Sequence, residues 1–435
     1  MDQATFTLVF LAVLFFLLAS GLWIGLALIG VAYIAMAFFT TRPIGDAMVT
    51  TIWGSSSSWT LTALPLFVWM GEILFRTRLS EDMFKGLAPW MMRVPGRLLH
   101  TNVIGCAIFA AISGSSAATC ATIGKMTLPE LQRRGYPEDM AIGSLAGSGT
   151  LGLLIPPSII MIVYGITADQ SIGQLFTAGI LPGIMLALLF SGYVAIWSLL
   201  NPGQVPQATE QYSFADKIFM SRHLIPVVML IIAVLGSIYS GVATATEAAA
   251  VGVVGAFALS ALQGTLTRAT FFDSLMGATR LSCMIFFILA GAAFLTLAMG
   301  FTGLPRQLAQ WIDGMGLAPW MLIAALTVFY IILGCFLDGI SMVVLTMAVV
   351  LPTIQSAGID LIWFGIFIVL VVEMAQITPP VGFNLFVIQG MTGKSIFYTG
   401  RVTFPFFLLM VVAVVLVYAF PQIVTFLPSR MIPNA

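Results

Sequence analysis

The sequence predicts an all-α polytopic membrane protein built as an inverted-topology repeat, with two re-entrant helical hairpins and two broken helices. Three observations predict it. Only 8% of the 435 residues are charged, about a third of the usual share in a soluble domain, while 60% are hydrophobic. Long apolar runs recur along the whole chain without the two-residue alternation of a barrel strand. The same landmarks then return at a fixed offset in the second half. Mean hydropathy is +1.07, and 17 basic residues balance 17 acidic ones, so no net field attracts a polyanion. These values exclude a cytosolic enzyme, a nucleic-acid binder and a disordered chain. Spans of roughly 20 residues leave room for about ten to twelve helices.

Met1-Asp2-Gln3 lacks the basic region of a cleavable signal, so the first apolar run is expected to remain as membrane span. That run, residues 6–39, is interrupted by Gly21, Gly25 and Gly30. By parity with the second half it reads as two joined spans. A polar break follows, then a span at 61–75. RTRLSEDMFKGLAPWMMRVPGR is charged and amphipathic, as in a helix lying in the membrane interface. The segment 98–131 carries ISGSSAAT in its middle, 140–166 is broken by GSGTLGLLIPPS, and a span follows at 180–200. NPGQVPQATEQYSFADK is the long polar loop that divides the chain. The second half repeats the scheme with spans at 224–240, 244–262 and 272–299, and an amphipathic LPRQLAQWIDGM. An apolar segment at 320–350 then carries LDGISM, 364–388 is broken by EMAQITPPVGFN, and a last span lies at 404–418. Cys106, Cys120, Cys283 and Cys335 lack paired spacing and read as small buried hydrophobes. His100 and His223 sit at segment ends, far from any metal-ligand pattern.

GLAPWM occurs at 86–91 and again at 316–321. Pro129 and Pro352 each stand 27 residues before a double proline and six before a glycine, Gly135 or Gly358. The prolines and glycines share an offset of 223, against 230 for GLAPWM, and it aligns Ser115 with Asp338 and Ser116 with Gly339. Basic residues give the orientation. Arg76, Arg78, Lys85, Arg93 and Arg97 precede the SGSS segment, and Lys125, Arg133 and Arg134 follow it. Basic flanks at both ends put both ends in the cytoplasm, which makes the segment a hairpin with its tip at SGSS. The corresponding flanks of the second repeat hold only Arg306, which favours the opposite side. Homologous halves of opposite orientation are a common plan among secondary transporters.

Irregular backbone at membrane depth is tolerated where protein buries it or water reaches it. The hairpin tips and the breaks expose carbonyls and hydroxyls, hard neutral oxygens suited to an alkali cation, beside helix N-termini suited to an anion. In the first half these are Ser113, Gly114, Ser115 and Ser116 with Gly149, Thr150 and Pro156. Close helix packing through small residues is the alternative reading there. In the second half they are Asp338 and Ser341 with Gln376, Thr378, Pro379 and Asn384; an ionisable residue inside a membrane is costly and usually functional. Glu373 is left between structural pairing and ligation. Glu72 and Glu247 read as membrane-embedded helix contacts, and Lys125 as a snorkelling side chain.

GSSAATCATIGKMTLPELQRRGYPEDMAIGSLAGSGTLGLLIPPS, then ATATEAAAVGVVGA, LDGISMVVLTMAVVLPTIQSAGID and EMAQITPPVGFNLFVIQG, stand in the order seen in one family. Over about 61–418 the chain resembles the large membrane subunit of tripartite ATP-independent periplasmic (TRAP) transporters. The resemblance implies the ion-transporter superfamily, with a scaffold and a transport domain working by an elevator motion. It assigns 1–97 and 222–318 to scaffold spans and arms, 98–200 and 319–427 to the transport halves, and 201–221 to the polar loop. It implies a small membrane subunit, here expected as a separate chain, and a periplasmic substrate-binding protein, in the bacterial inner membrane. The cargo is an organic acid such as a four-carbon dicarboxylate, a keto acid or a sialic acid, driven by Na+.

Carried over by motif, one sodium site falls on Ser113, Gly114, Ser115 and Ser116 with Gly149, Thr150 and Pro156. The second falls on Asp338, Gly339 and Ser341 with Gln376, Thr378 and Pro379. The solute is expected against Ser116, Thr119, Pro157 and Asn384, although Thr119-Cys120 departs from the commonest family pattern. A stand-alone sodium- or proton-coupled symporter is the nearest alternative. An intramembrane serine hydrolase lacks a base within reach of the serines, and a pore lacks a filter motif or charged ring.

Overall fold

Helices form along each apolar run and stop where glycine, proline or a capping side chain offers the backbone another partner. A computed structural model describes residues 12, 13, 16, 17, 20–207, 212–316 and 318–431. The first half comprises α1 (Ile24–Phe39), α2 (Ile44–Ser56), α3 (Ala63–Phe75) and the arm α4 (Leu79–Met91). A hairpin of α5 (Leu99–Ser113) and α6 (Ser116–Arg133) follows, then the broken helix α7 (Glu138–Gly149), α8 (Leu151–Leu154) and α9 (Ile159–Thr167), and the long α10 (Ile172–Leu200). A short α11 (Phe214–Ser221) leads into α12 (Ile225–Tyr239), α13 (Ala245–Leu262), the 35-residue α14 (Arg268–Thr302) and the arm α15 (Leu304–Gly314). The second hairpin is α16 (Pro319–Leu333) and α17 (Gly339–Ser356); the second broken helix is α18 (Leu361–Gln376) and α19 (Phe383–Thr392), and α20 (Ile396–Ala419) is the last long span. Among the described residues six helices are long and apolar enough to cross a membrane, or eight if each bent pair counts as one span.

The offset seen in the sequence is also an offset of structure. The starts of α6 and α17, α7 and α18, α9 and α19, and α10 and α20 lie 223 or 224 residues apart. Both breaks carry a cis peptide, Pro156–Pro157 and Pro379–Pro380. Ser115 and Asp338, aligned by the offset, do the same job. Each is the N-cap of the second hairpin arm, accepting backbone N–H groups that the first turn leaves unpaired.

Two groups of helices share the core. In one, α14 runs along α1, α2 and α3 while α13 packs on α3 and α12. Trp69 of α3 donates its indole N–H to Ser274 of α14 at 3.3 Å. In the other, α5, α6 and α7 pack together and α20 lies on α7. Tyr164 of α9 donates to the Leu361 carbonyl at 2.6 Å, which ties the first broken helix to the start of the second.

Several expectations change. The segment after α1 is a helix, α2, rather than a polar break; its serines satisfy themselves on their own helix, as Ser55 does at the Ile52 carbonyl. The end of the polar loop is also helical, because Ser213 and Asp216 form a capping box that starts α11. Glu247 spends its carboxylate on its own helix, closing a capping box with Thr244 in the first turn of α13. Cys106 and Cys120 are buried as expected, but Cys283 is exposed on α14 and Cys335 is half-buried. Glu72 pairs with Arg76 one turn on. A turn at Ser20–Gly21 precedes α1. The Met1-Asp2-Gln3 reading and most of the proposed first span lie outside the described residues.

Candidate functional site

The first tip is built by two short-range devices. Gly114 ends α5 in the left-handed region at φ 60, and Ser115 turns the chain back by accepting the Ala118 N–H. Ser113 and Thr119 bond through their hydroxyls at 2.7 Å across the turn. The tip then seats in the first break: the Gly114 carbonyl accepts the Ile159 N–H at 3.4 Å. On its other side Gly152 is the only residue type that fits, because a methyl there would lie 2.6 Å from Ser116 Cα and 2.7 Å from the Ser115 carbonyl oxygen. Gly152→Ala must push backbone against backbone, an overpacking cost of roughly 1–3 kcal/mol concentrated at the tip. Uptake in vesicles is expected to fall about ten-fold or more, with the amount of protein in the membrane little changed.

The second tip repeats this with different atoms. Asp338 accepts the Ile340 and Ser341 N–H groups at 3.1 and 3.3 Å through Oδ2, and the Ser341 hydroxyl through Oδ1. Both carboxylate oxygens are thus engaged in starting α17. Gly339 lies against Gln376, whose Nε2 is 3.0 Å from where a Gly339 methyl would sit. Cys335 approaches the Pro379 carbonyl, Sγ to oxygen 3.6 Å. Thr378 and Thr150 both spend their hydroxyl protons on helix carbonyls, Met374 at 2.7 Å and Gly147 at 2.6 Å. Each tip therefore meets the break of its own half.

Two side chains tie the halves together, and the sequence reading weighted them unequally. Glu373 is fully buried on α18, yet its Oε1 reaches the first half, accepting the Ser116 hydroxyl and the Leu153 N–H at 3.1 Å. Its Oε2 is buried without a hydrogen-bond partner. The signal in the sequence was a lone acid in the apolar run VVEMAQ six residues before the double proline, left off the site set. Asn384, which was on it, is fully buried at the start of α19 with both amide atoms unpartnered. It lies beside Gly149: a methyl there would meet Cys120 Cβ of the first hairpin at 3.0 Å and Asn384 Nδ2 at 3.3 Å. Thr119 and Pro157 are buried beside the tip, and Pro156 is buried in the break. Among the described residues no group of three or more His, Cys, Asp or Glu side chains gathers to hold a metal ion.

Residues 11–423 match the profile of the family described as the Tripartite ATP-independent periplasmic transporter, DctM component. The chain belongs to this family. It is 31% identical to the C4-dicarboxylate TRAP transporter large permease protein DctM of Rhodobacter capsulatus, over 98% of this chain and 99% of that one. It is also 31% identical to the protein of the same description from Pseudomonas aeruginosa, over 88% and 89%. The crystal structure of the Alcanivorax borkumensis YdaH transporter superposes with a TM-score of 0.63 over 92% of this chain and 97% of that one, at 11% identity, which is a likeness of fold. The chain is thus a polytopic TRAP large permease subunit.

Proposed function

We propose that this chain drives sodium-coupled uptake of a small organic acid across the bacterial inner membrane, with four-carbon dicarboxylates the first class to test. The observation that carries the reading is the family match over 11–423, supported by two near full-length relatives described as C4-dicarboxylate permeases. A small TRAP membrane subunit and a periplasmic binding protein complete the system, the latter delivering the solute. Sodium binds as cargo at the two tips, where neutral oxygens and helix N-termini converge, and the solute carboxylate binds between them beside Ser116 and Asn384. The halves 98–200 and 319–427, oppositely oriented, then move as one transport domain along the scaffold formed by 1–97 and 222–318.

The test is radiolabelled succinate uptake into proteoliposomes holding the chain with its small subunit, with and without the binding protein. Uptake is expected only when an inward sodium gradient and the binding protein are both present. It should also respond to membrane potential at ~2.3 kcal/mol per net charge per 100 mV if cations outnumber the charges on the solute. Uptake without the binding protein assigns the chain to the stand-alone symporters, and uptake driven equally by a proton gradient removes the sodium reading.

A further inference from the structure

The two groups of helices meet where α14 lies against α17, and the seam between them is not filled. Two cavities of about 380 and 670 Å³ run along it and share Thr296, Ala348 and Pro352, so one continues the other. Their walls recur at helical spacing: Leu289, Thr296 and Gly300 on α14, Val344, Ala348 and Ser356 on α17. From Leu289 to Gly300 the seam follows α14 for ~16 Å at 1.5 Å per residue, the depth of about one leaflet of a ~30 Å hydrocarbon core.

Its ends differ in chemistry. The deep end, closed by Ile166, Phe286, Leu289, Val344 and Met347, has no ionisable side chain in its wall. The shallow end opens at the arm α15, beside Arg306, Gln310 and Ser356, with no acid in its wall. Arg306 is exposed and makes no ion pair among the described residues. A second guanidinium, that of Arg42, lies 5.3 Å from the ring centre of the wall residue Phe301. Trp311, 64% exposed on the same arm, suits the level of the lipid headgroups. Arg76, of the flank read as cytoplasmic, donates to the Asp273 carbonyl at 3.4 Å near the start of α14, so the far end of this spanning helix lies on the periplasmic side.

We infer that this seam is a binding site for an anionic phospholipid of the periplasmic leaflet, its phosphate at Arg306 and one acyl chain lying between α14 and α17. It rests on the proposed function only for the division into a scaffold that holds α14 and a transport domain that holds α17. A cationic mouth over an apolar slot one leaflet deep fits an amphipathic anion. A small dicarboxylate would gain the mouth but would have to shed water from its second charge in the slot. The site differs from the general lipid shell because its two walls belong to different groups of helices, so a chain within it lies in the path of their relative motion.

The test uses the full chain with its small subunit in phosphatidylcholine liposomes that contain phosphatidylglycerol with a diazirine on one acyl chain. After irradiation the adducts are mapped by mass spectrometry. They are expected on 286–293 and 344–348 above the level on α10, where the exposed Leu188 and Ile196 report ordinary lipid contact. The same diazirine on phosphatidylcholine should mark α10 equally and the seam about five-fold less, the equivalent of ~1 kcal/mol for one basic residue. Arg306→Gln should lower the phosphatidylglycerol signal in the seam by about the same factor, and adding Arg42→Gln should lower it further. Thr296→Trp puts a ring in the shared waist and should remove the seam adducts while leaving those on α10.

Seam adducts no stronger than those on α10 overturn the inference, as do equal yields from the two headgroups or yields indifferent to both arginine substitutions. Displacement of the adducts by succinate overturns it as well, because the mouth is then a solute site. The readout is lipid occupancy, so a chain that fails to take up succinate counts against the proposed function alone.

Discussion

Glu373→Ala is expected to abolish uptake and to lower the thermal stability of the solubilised protein. The substitution removes the acceptor of the Ser116 hydroxyl and of the Leu153 N–H, both in a dry interior. Each orphaned donor costs about 1–3 kcal/mol, so the loss is roughly 2–6 kcal/mol before any cavity is counted. Glu373→Gln separates the latch from the charge. An amide oxygen can still accept both donors, so the stability lost in the alanine variant should return. The ability to ionise is gone, however, from a group that is fully buried with Oε2 unpartnered. A carboxyl so placed carries a charge only when a cation stands beside it. Sodium should therefore raise the melting temperature of the wild-type protein, by the equivalent of about 2.7 kcal/mol at a hundred times its dissociation constant. In Glu373→Gln that shift should largely vanish. Equal sodium-induced shifts in the two proteins would leave Glu373 as a neutral brace between the halves.

The sequence revealed some parts of this arrangement better than others, for physical reasons. Apolar runs and double prolines act locally, so the hairpins, the breaks and their repetition could be read directly. The alignment of Ser115 with Asp338 anticipated that both would occupy one structural position, and both start a hairpin arm. The helix α2 was hidden because its polar serines look like loop when their back-bonding to helix carbonyls cannot be seen. Glu373 was hidden for a different reason. Its partners, Ser116 and Leu153, are 257 and 220 residues away, and no local pattern marks a contact made only when two halves interlock. Asn384 could be picked out beside the second double proline, but not its position opposite Gly149 of the first half.

Asp338→Ala is expected to eliminate sodium-dependent uptake while the protein still inserts and assembles. The side chain accepts two backbone N–H groups and the Ser341 hydroxyl, so alanine leaves the first turn of α17 uncapped at a cost of about 0.5–2 kcal/mol. That loss is too small to unfold a domain, but it falls at the tip, where Gly339 packs on Gln376. Asparagine caps about as well as aspartate. Asp338→Asn should therefore hold the tip's shape and the melting temperature and change only the charge beside the proposed second sodium site. Its half-saturating sodium concentration is expected to rise about ten-fold, the equivalent of ~1.4 kcal/mol. Ser115 does the equivalent work in the first half with a neutral hydroxyl. Asp338→Ser thus tests whether the second tip needs a charge or only a cap. Uptake with ordinary sodium dependence in both the asparagine and serine variants would make Asp338 a cap alone. Ordinary sodium dependence in the alanine variant would remove the second tip from the coupling mechanism.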